Sequence, residues 1–383
     1  MVKKLLILSS LILLGLMCAC EKKQDSITPQ KPTPGDDDDK KEEVVYPSYS
    51  KKIVADMGVG WNLGNTLDAK NSDKTAWGNP ETTKEMIDAI RAKGFKTIRV
   101  PITWQYNISN DSEYTIEKNY LKRIEEIVNY GLDNDMYVII NIHHDEEIIS
   151  PSQEKFTESL IAITRIWEQA AEHFKDYGDH LIFESLNEMR LKGTKEEWTG
   201  GTTESRNCIN RYHKAMVDVV RAKGGNNATR QIMLSPYAAS SSDNAINGLV
   251  LPKDNNIIVA IHSYFPYNFA MNDNVESGST TDWGSAQDKR DLDTEFDRIY
   301  NKFIAKGIPV VMGEWGSINK DNLQARVNHA RYYAEGCRRK GICPVWWDNG
   351  KAGSGADTYA LFDRRTISWV HEEIADAIVG AAK

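Results

Sequence analysis

Eight short apolar runs recur along the chain, each closing on or beside a polar or aromatic residue and each separated from the next by a longer segment. They are MGVGWN (57–62), KTIRVP (96–101), MYVIINIHH (136–144), LIFESLN (181–187), RQIMLSPY (230–237), NIIVAIHSY (256–264), IPVVMGEW (308–315) and ICPVWWD (342–348). Most of the intervening segments carry apolar residues at three- and four-residue spacing, the pattern of a helix with one buried face. In ETTKEMIDAIRAKG the stripe is Met86, Ile87 and Ile90, stopped by Gly94; in KNYLKRIEEIVNYGLDN it is Leu121, Ile124, Ile127 and Val128. Residues 155–176, 204–223, 287–306 and 321–340 repeat the pattern, and a short helix is expected over 368–379. Near-continuous apolar strands alternating with amphipathic helices imply a parallel sheet covered by helices. Eight such units favour an α/β chain folded as a single closed (β/α)8 TIM barrel, with an open doubly wound sheet as the alternative. The fifth unit is the weakest, because 238–255 is polar without clear helical periodicity.

The barrel is expected to occupy residues 46–383. Residues 1–20, MVKKLLILSSLILLGLMCAC, have a basic start, an apolar run and small residues before a cysteine, which reads as an export signal. Its last five residues resemble a bacterial lipobox with cleavage before Cys20, although Met17 stands where leucine is usual. The protein is therefore expected at the cell surface, anchored by a lipid on Cys20, or secreted. Residues 21–45 are Lys, Asp, Glu, Pro, Gln and Thr with almost nothing apolar, a composition that cannot bury enough surface to order itself and reads as a linker. The formal charge of −8 becomes more negative without Lys3 and Lys4. That balance argues against nucleic acid or an anionic membrane surface as partner. Beyond the leader stand Cys208, Cys337 and Cys343, without the spacing of a metal site or a disulfide framework. Cys337 and Cys343 form a pair that an exported chain can join, but buried free thiols are the favoured reading.

In a closed barrel, active sites lie at the C-terminal ends of the strands, so polar residues there read as functional. In chain order those ends supply Asn62, Arg99, His143 with His144, Asn187 with Glu188, His262 with Tyr264, Glu314, and Trp347. The fifth strand is the least informative. Glu188 and Glu314 follow strands four and seven, whose ends face each other across the mouth. Two carboxylates flanking a cavity suit glycoside hydrolysis, one as proton donor and one as nucleophile or base. Arg99 and the histidines can orient a carboxylate, Asn187 can donate to a sugar hydroxyl, and Trp347 offers a flat face for a sugar ring. The chain has neither a phosphate clamp nor a nicotinamide fingerprint, which fits a neutral, hydroxyl-rich substrate.

Taken together, GWNLGNTLDA, IRVPITW, VIINIHHDE, FESLNEM, AIHSYFP, VMGEWG and VWWDNG resemble the strand-end motifs of glycoside hydrolase family 5. In particular they resemble its bacterial endoglucanase branch, which also holds xyloglucanases and mixed-linkage glucanases, and the resemblance spans roughly residues 50 to 380. It implies a retaining double displacement, needing no cofactor, on a β-glucan polysaccharide. Glu188 would be the acid/base and Glu314 the nucleophile. Arg99 would sit beside the nucleophile. His143, Asn187, His262 and Tyr264 would surround the sugar at the cleavage point on a Trp347 platform, with Asn62 and His144 as further contacts. Met189 stands where the family often has proline after Asn-Glu. The implied activity is an endo-β-1,4-glucanase, or a xyloglucan- or mixed-linkage-specific relative, acting as a monomer.

Plainer readings stand beside these. Glu184 is read as a structural carboxylate in the barrel wall, which a cationic neighbour has to pair. His143, His144, Asp145 and Glu146 have metal-capable groups, but neither histidine has an i, i+4 partner and there is no His-x-His, so no catalytic metal is expected. A metal-dependent hydrolase remains the competing enzyme class. A non-catalytic glycan-binding barrel would keep the aromatics but has no use for both carboxylates. Trp77, Trp104, Trp198, Trp283 and Trp315 are divided between cleft and core. The glycine-rich NGKAGSGADTY (349–359) reads as a rim loop. Three geometric expectations follow. The chain should bend at 186–188 so that Asn187 and Glu188 face one site; the two glutamates should lie about 5 to 5.5 Å apart; and the acid/base should have the higher pKa of the two.

Overall fold

A nine-residue helix, α1 (Ser48–Asp56), leads into the first strand. The strands are β1 (Gly60–Asn62), β2 (Thr97–Val100), β3 (Tyr137–Asn141), β4 (Leu181–Glu184), β5 (Ile232–Leu234), β6 (Ile257–His262), β7 (Val310–Trp315) and β8 (Ile342–Trp346). Each pairs parallel with the next, and β8 returns to β1, closing the barrel. The computed structural model describes residues 48–70, 75, 77–109 and 111–382; the leader and linker expected over 1–20 and 21–45, with Cys20, lie outside the described residues. Every expected strand is present, trimmed at its ends.

The helices that follow are α2 (Lys84–Lys93), α3 (Lys118–Leu132), α4 (Phe156–His173), α5 (Thr203–Ala222), α6 (Asp243–Gly248), α7 (Tyr267–Ala270), α8 (Ala286–Lys302), α9 (Leu323–Arg339) and α10 (Glu372–Gly380). Local chemistry sets several of their ends. A capping box of Thr202 with Ser205 starts α5, and Ser285 with Asp288 starts α8, satisfying backbone N–H groups that the first turn leaves free. Gly94 stops α2 at a φ of 121°, a conformation open to glycine. The weak fifth unit contains a 3-10 turn at Tyr237–Ala239 and the six-residue α6. Between β8 and α10 a two-residue antiparallel pair forms, β9 (Phe362–Asp363) with β10 (Ser368–Trp369).

Alternate residues along the strands divide the apolar core in two. Ile139, Ile182, Met233, Ile258, Ala260, Val311, Cys343 and Val345 fill the barrel interior, joined by Ile53, Val54 and Met57 from α1. Their neighbours Val138, Ile140, Phe183, Val259, Val310 and Ile342 face outward, where the helices cover them with residues such as Ile87, Ile124, Ile163 and Met216. Cys343 therefore points into the barrel while Cys337, on α9, belongs to the outer layer, and with Cys208 they are buried and free.

Candidate active site

Continuing the inward phase of each strand to its C-terminal end gives Asn62, Arg99, Asn141, Glu184 and His262, the last inward positions of β1, β2, β3, β4 and β6. This layer is the floor of the site, and all five are buried. β7 departs from the pattern. Its inward position is Gly313, where an added Cβ would lie 3.0 Å from His262 Nε2, so the imidazole packs closely against bare backbone there. The pairing of β7 then slips against β6 and β8, bringing His262 opposite Glu314. Strict alternation would turn Glu314 away from the interior; the bulge re-aims it into the mouth.

Arg99 organises the floor. It donates from Nε to Glu184 Oε2 (2.6 Å), from Nη1 to Glu314 Oε1 (2.7 Å) and Asn62 Oδ1 (3.0 Å), and from Nη2 to Asn187 Oδ1 (2.7 Å) and Glu184 Oε1 (3.2 Å). All five of its N–H groups are thus engaged. This is the cation that the buried Glu184 requires, and Asn141 Nδ2 adds a third donor to that carboxylate at 3.1 Å. Asn62 is fully buried, and its Nδ2 donates to the Gly313 carbonyl at 2.9 Å. It thus orients Arg99 from behind instead of lining the mouth, a correction to its reading as a sugar contact.

The strand ladder of β4 ends at Glu184, and the chain bends at Ser185 and again at Asn187 and Glu188. The bend expected over 186–188 is therefore present. Past it, Glu188 Oε1 accepts from His262 Nδ1 at 2.9 Å. Opposite, Tyr264 donates its hydroxyl to Glu314 Oε2 at 2.9 Å. A carboxylate oxygen of Glu188 and one of Glu314 lie within 4.8 Å of each other. His143 stands between Asn141 Nδ2 (3.1 Å) and Asn187 Nδ2 (3.3 Å), and its ring is parallel to that of Trp347, 5.9 Å away. Trp347 is half-buried, and Gly64 admits it, because a Cβ there would lie 2.7 Å from the indole. His144 is half-buried at the rim, beside Glu146 (3.4 Å) and the edge of Trp77.

Burial pushes the Glu188 carboxyl up, but the hydrogen bond and charge of His262, together with Arg190, outweigh it and hold the group below its usual value. Glu188 therefore stands below, and not above, the ordinary value of a glutamate. For His262, burial pulls down, while the charge of Glu314 and the bond to Glu188 prevail and raise it. His143 goes well down through burial and the charges of His144 and Arg99, so it acts as a neutral group.

Of the five tryptophans left between cleft and core, Trp104, Trp283 and Trp315 are buried, while Trp77 and Trp198 are 41% and 64% exposed. Trp198 borders a cavity of about 460 Å³ that opens beside Glu188, with Tyr264, Tyr267 and Met271 in its walls. Among the described residues two metal-capable trios come within 4.8 Å, Asp68 with His143 and His144, and Glu188 with His262 and Glu314. Both oxygens of Asp68 already accept backbone N–H groups, from Thr66 (2.6 Å) and Asn65 (3.0 Å), and both oxygens of Glu314 are held by Arg99 and Tyr264. Asn141 and Arg190 were not foreseen from the sequence. Asn141 is visible as the inward residue just before His143, but Arg190, whose Nη1 donates to the Glu188 carbonyl at 3.0 Å, carries no pattern signal.

Residues 59–353 match the family model for cellulase, glycosyl hydrolase family 5. The chain is 45% identical over 335 residues to Endoglucanase B of Clostridium cellulovorans, covering 87% of this chain and 76% of that protein. Among solved structures, a GH5-4 broad specificity endoglucanase from Clostridium acetobutylicum superposes with a TM-score of 0.84 at 47% identity, covering 86% of this chain and 99% of the other. A GH5-4 broad specificity endoglucanase from Ruminococcus champanellensis, with cellotriose bound, gives 0.82 at 40% identity, with coverages of 86% and 97%. A closed barrel with these strand ends, matched over most of its length, belongs to glycoside hydrolase family 5.

Proposed function

We propose that the protein is a retaining endo-β-1,4-glucanase. The observation that carries this reading is the approach of Glu188 and Glu314 to within 4.8 Å across the mouth, a separation suited to direct attack by one carboxylate and not to an intervening water. Glu314, held by Arg99 and Tyr264, attacks the anomeric carbon as the glycosidic C–O bond breaks. The leaving oxygen takes a proton from Glu188. Glu188 then removes a proton from water, whose oxygen attacks the same carbon and releases Glu314. With Glu188 lowered and His262 raised, the shared proton favours His262 Nδ1, so donation requires its transfer across the 2.9 Å bond to Glu188. Following the anomeric form of the first products by NMR tests the assignment: retention is expected, and inversion would refute it.

Polymer choice lies with the rim. Trp198 and Tyr267, exposed beside the cavity next to Glu188, fit a leaving-group chain of β-linked rings. The relatives' broad specificity supports cleavage of cellulose, mixed-linkage glucan and xyloglucan alike. A product profile across these polymers separates that from a xyloglucan- or mixed-linkage-specific enzyme. Prolonged chelation should leave the rate unchanged; a loss restored by a divalent metal would favour the metal-dependent alternative. We further propose export of the chain with a lipid on Cys20, or its secretion. Labelling with a radioactive fatty acid that disappears in Cys20→Ser would support the anchor.

The His262–Glu188 pair also links stability to pH. The raised His262 contributes stability fully present below its unfolded pKa and lost as pH rises through its folded value; the lowered Glu188 contributes stability fully present above its unfolded pKa and lost as pH falls through its folded value. The difference in melting temperature between wild type and Glu188→Gln should therefore be largest between about pH 4.3 and 6.5 and shrink on both sides. A difference independent of pH would show that the pair carries no charge.

A further inference from the structure

Another buried histidine, His213 on α5, lies behind the bend that follows β4. It is fully buried between the ends of β4 and β5. Its Nε2 lies 2.8 Å from the Ser235 carbonyl and its Nδ1 3.0 Å from Ser185 Oγ. A carbonyl can only accept, so Nε2 carries the proton and Nδ1 accepts from the Ser185 hydroxyl. Burial pulls the imidazole down to about 4, so it is a neutral ring in a fixed tautomer.

Both of its partners grip the bend that carries Glu188. Ser185 is held by its N–H on the Met233 carbonyl (2.9 Å), by its carbonyl on Trp167 Nε1 (3.2 Å), and by its hydroxyl on His213. Ser235 turns its hydroxyl to the Leu186 and Asn187 carbonyls, at 3.0 and 3.1 Å. The next two carbonyls are held as well, Glu188 by Arg190 Nη1 (3.0 Å) and Met189 by the Ala238 N–H (2.9 Å). Four consecutive carbonyls, 186 to 189, are thus tied down, three of them by the segment after β5.

We propose that His213, by joining Ser185 to Ser235, is a positioning residue that fixes the bend at 186–188 and so aims Glu188 at the leaving-group oxygen. In a regular strand Asn187 and Glu188 would face opposite sides of the sheet, so the aim depends on the bend being held. The network acts on one half of the chemistry. Glu314 stands on β7 and is held by Arg99 and Tyr264, and the Asn187 side chain is separately anchored by Arg99 Nη2 at 2.7 Å. Misplacing Glu188 therefore slows proton donation while leaving nucleophilic attack intact.

The proposal rests on Glu188 being the acid/base, and the experiment separates the two. Ser235→Ala, His213→Gln (which keeps a donor at the Nε2 position) and His213→Leu are compared on a cello-oligosaccharide and on 2,4-dinitrophenyl β-cellobioside, whose leaving group departs without a proton. Expected for Ser235→Ala and His213→Leu is a loss in kcat/KM of roughly 10- to 100-fold on the oligosaccharide, the scale of a displacement of about 1 Å. The aryl substrate should stay near wild type, and His213→Gln should fall between wild type and leucine. Should His213→Leu not fold, Ser235→Ala carries the same comparison. Equal losses on both substrates would make the network a plain fold support, and no loss on either would also overturn the proposal. Glu188→Ala run alongside should show the same split more strongly. If it does not, the acid/base assignment itself fails.

Discussion

Glu314→Gln is expected to lower hydrolysis of a β-1,4-glucan by several powers of ten while the protein stays folded. The amide cannot form the covalent bond, so the loss is that of the nucleophile, not of a single orienting contact. Its carbonyl oxygen can still accept from Tyr264 or Arg99, and for that reason the fold should survive. Circular dichroism and melting temperature check the fold, and initial rates on soluble cello-oligosaccharides check the activity. Glu188→Gln should lose on the order of 10²- to 10⁴-fold on the same substrates, the usual contribution of a general acid–base. Near-normal turnover by either variant would remove that residue from its role.

Arg99→Met should produce the largest change in stability. Arg99 is fully buried and bonded to two carboxylates and two amides, so its removal leaves the buried Glu184 carboxyl with Asn141 Nδ2 at 3.1 Å and the more distant His262 Nε2 at 4.0 Å. Breaking a buried ion pair from one side destabilises by roughly 3–5 kcal/mol, because the surviving charge has no counterpart. Chemical denaturation measures this. Adding Glu184→Leu to Arg99→Met removes the more deeply buried of the two carboxylates that lose the guanidinium and should recover part of the stability, since apolar replacement of a buried pair is often neutral or better. Activity should not return with it, because Glu314 and Asn187 both remain without their guanidinium partner. A double variant as unstable as the single one would mean that lost packing, and not the stranded charge, does the damage.

Periodicity made the barrel legible: apolar runs and helical stripes are repeated physical demands, and each of the eight runs became a strand. The strand-end rule then collected Arg99, His143, Asn187, Glu188, His262, Tyr264, Glu314 and Trp347 at one mouth. It failed where depth mattered. Asn62 and Glu314 both stand near strand ends, yet one lies behind the arginine and the other reaches the mouth only because the register of β7 slips at Gly313. A slip of that kind depends on neighbouring strands and leaves no mark in a single run of residues. The tryptophans divided for a similar reason: Trp315 is stacked on Tyr333 at 4.2 Å, a long-range contact, whereas Trp198 stands exposed at the rim. His213 occupies a core position on its helix stripe, so its sequence context shows only burial and not the two partners that give it a task.

The division of the core into an inner and an outer layer has a consequence for how the chain is made. Cys343 lies on the inner side of β8 and Cys337 on the outer, with the sheet between them, and Cys208 sits on another helix. Among the described residues the cysteines are free thiols, so no disulfide among them ties the barrel together and its folding should not need an oxidant. The same fold should form in a reducing cytosol and in an oxidising compartment, and a reductant should leave its heat resistance untouched.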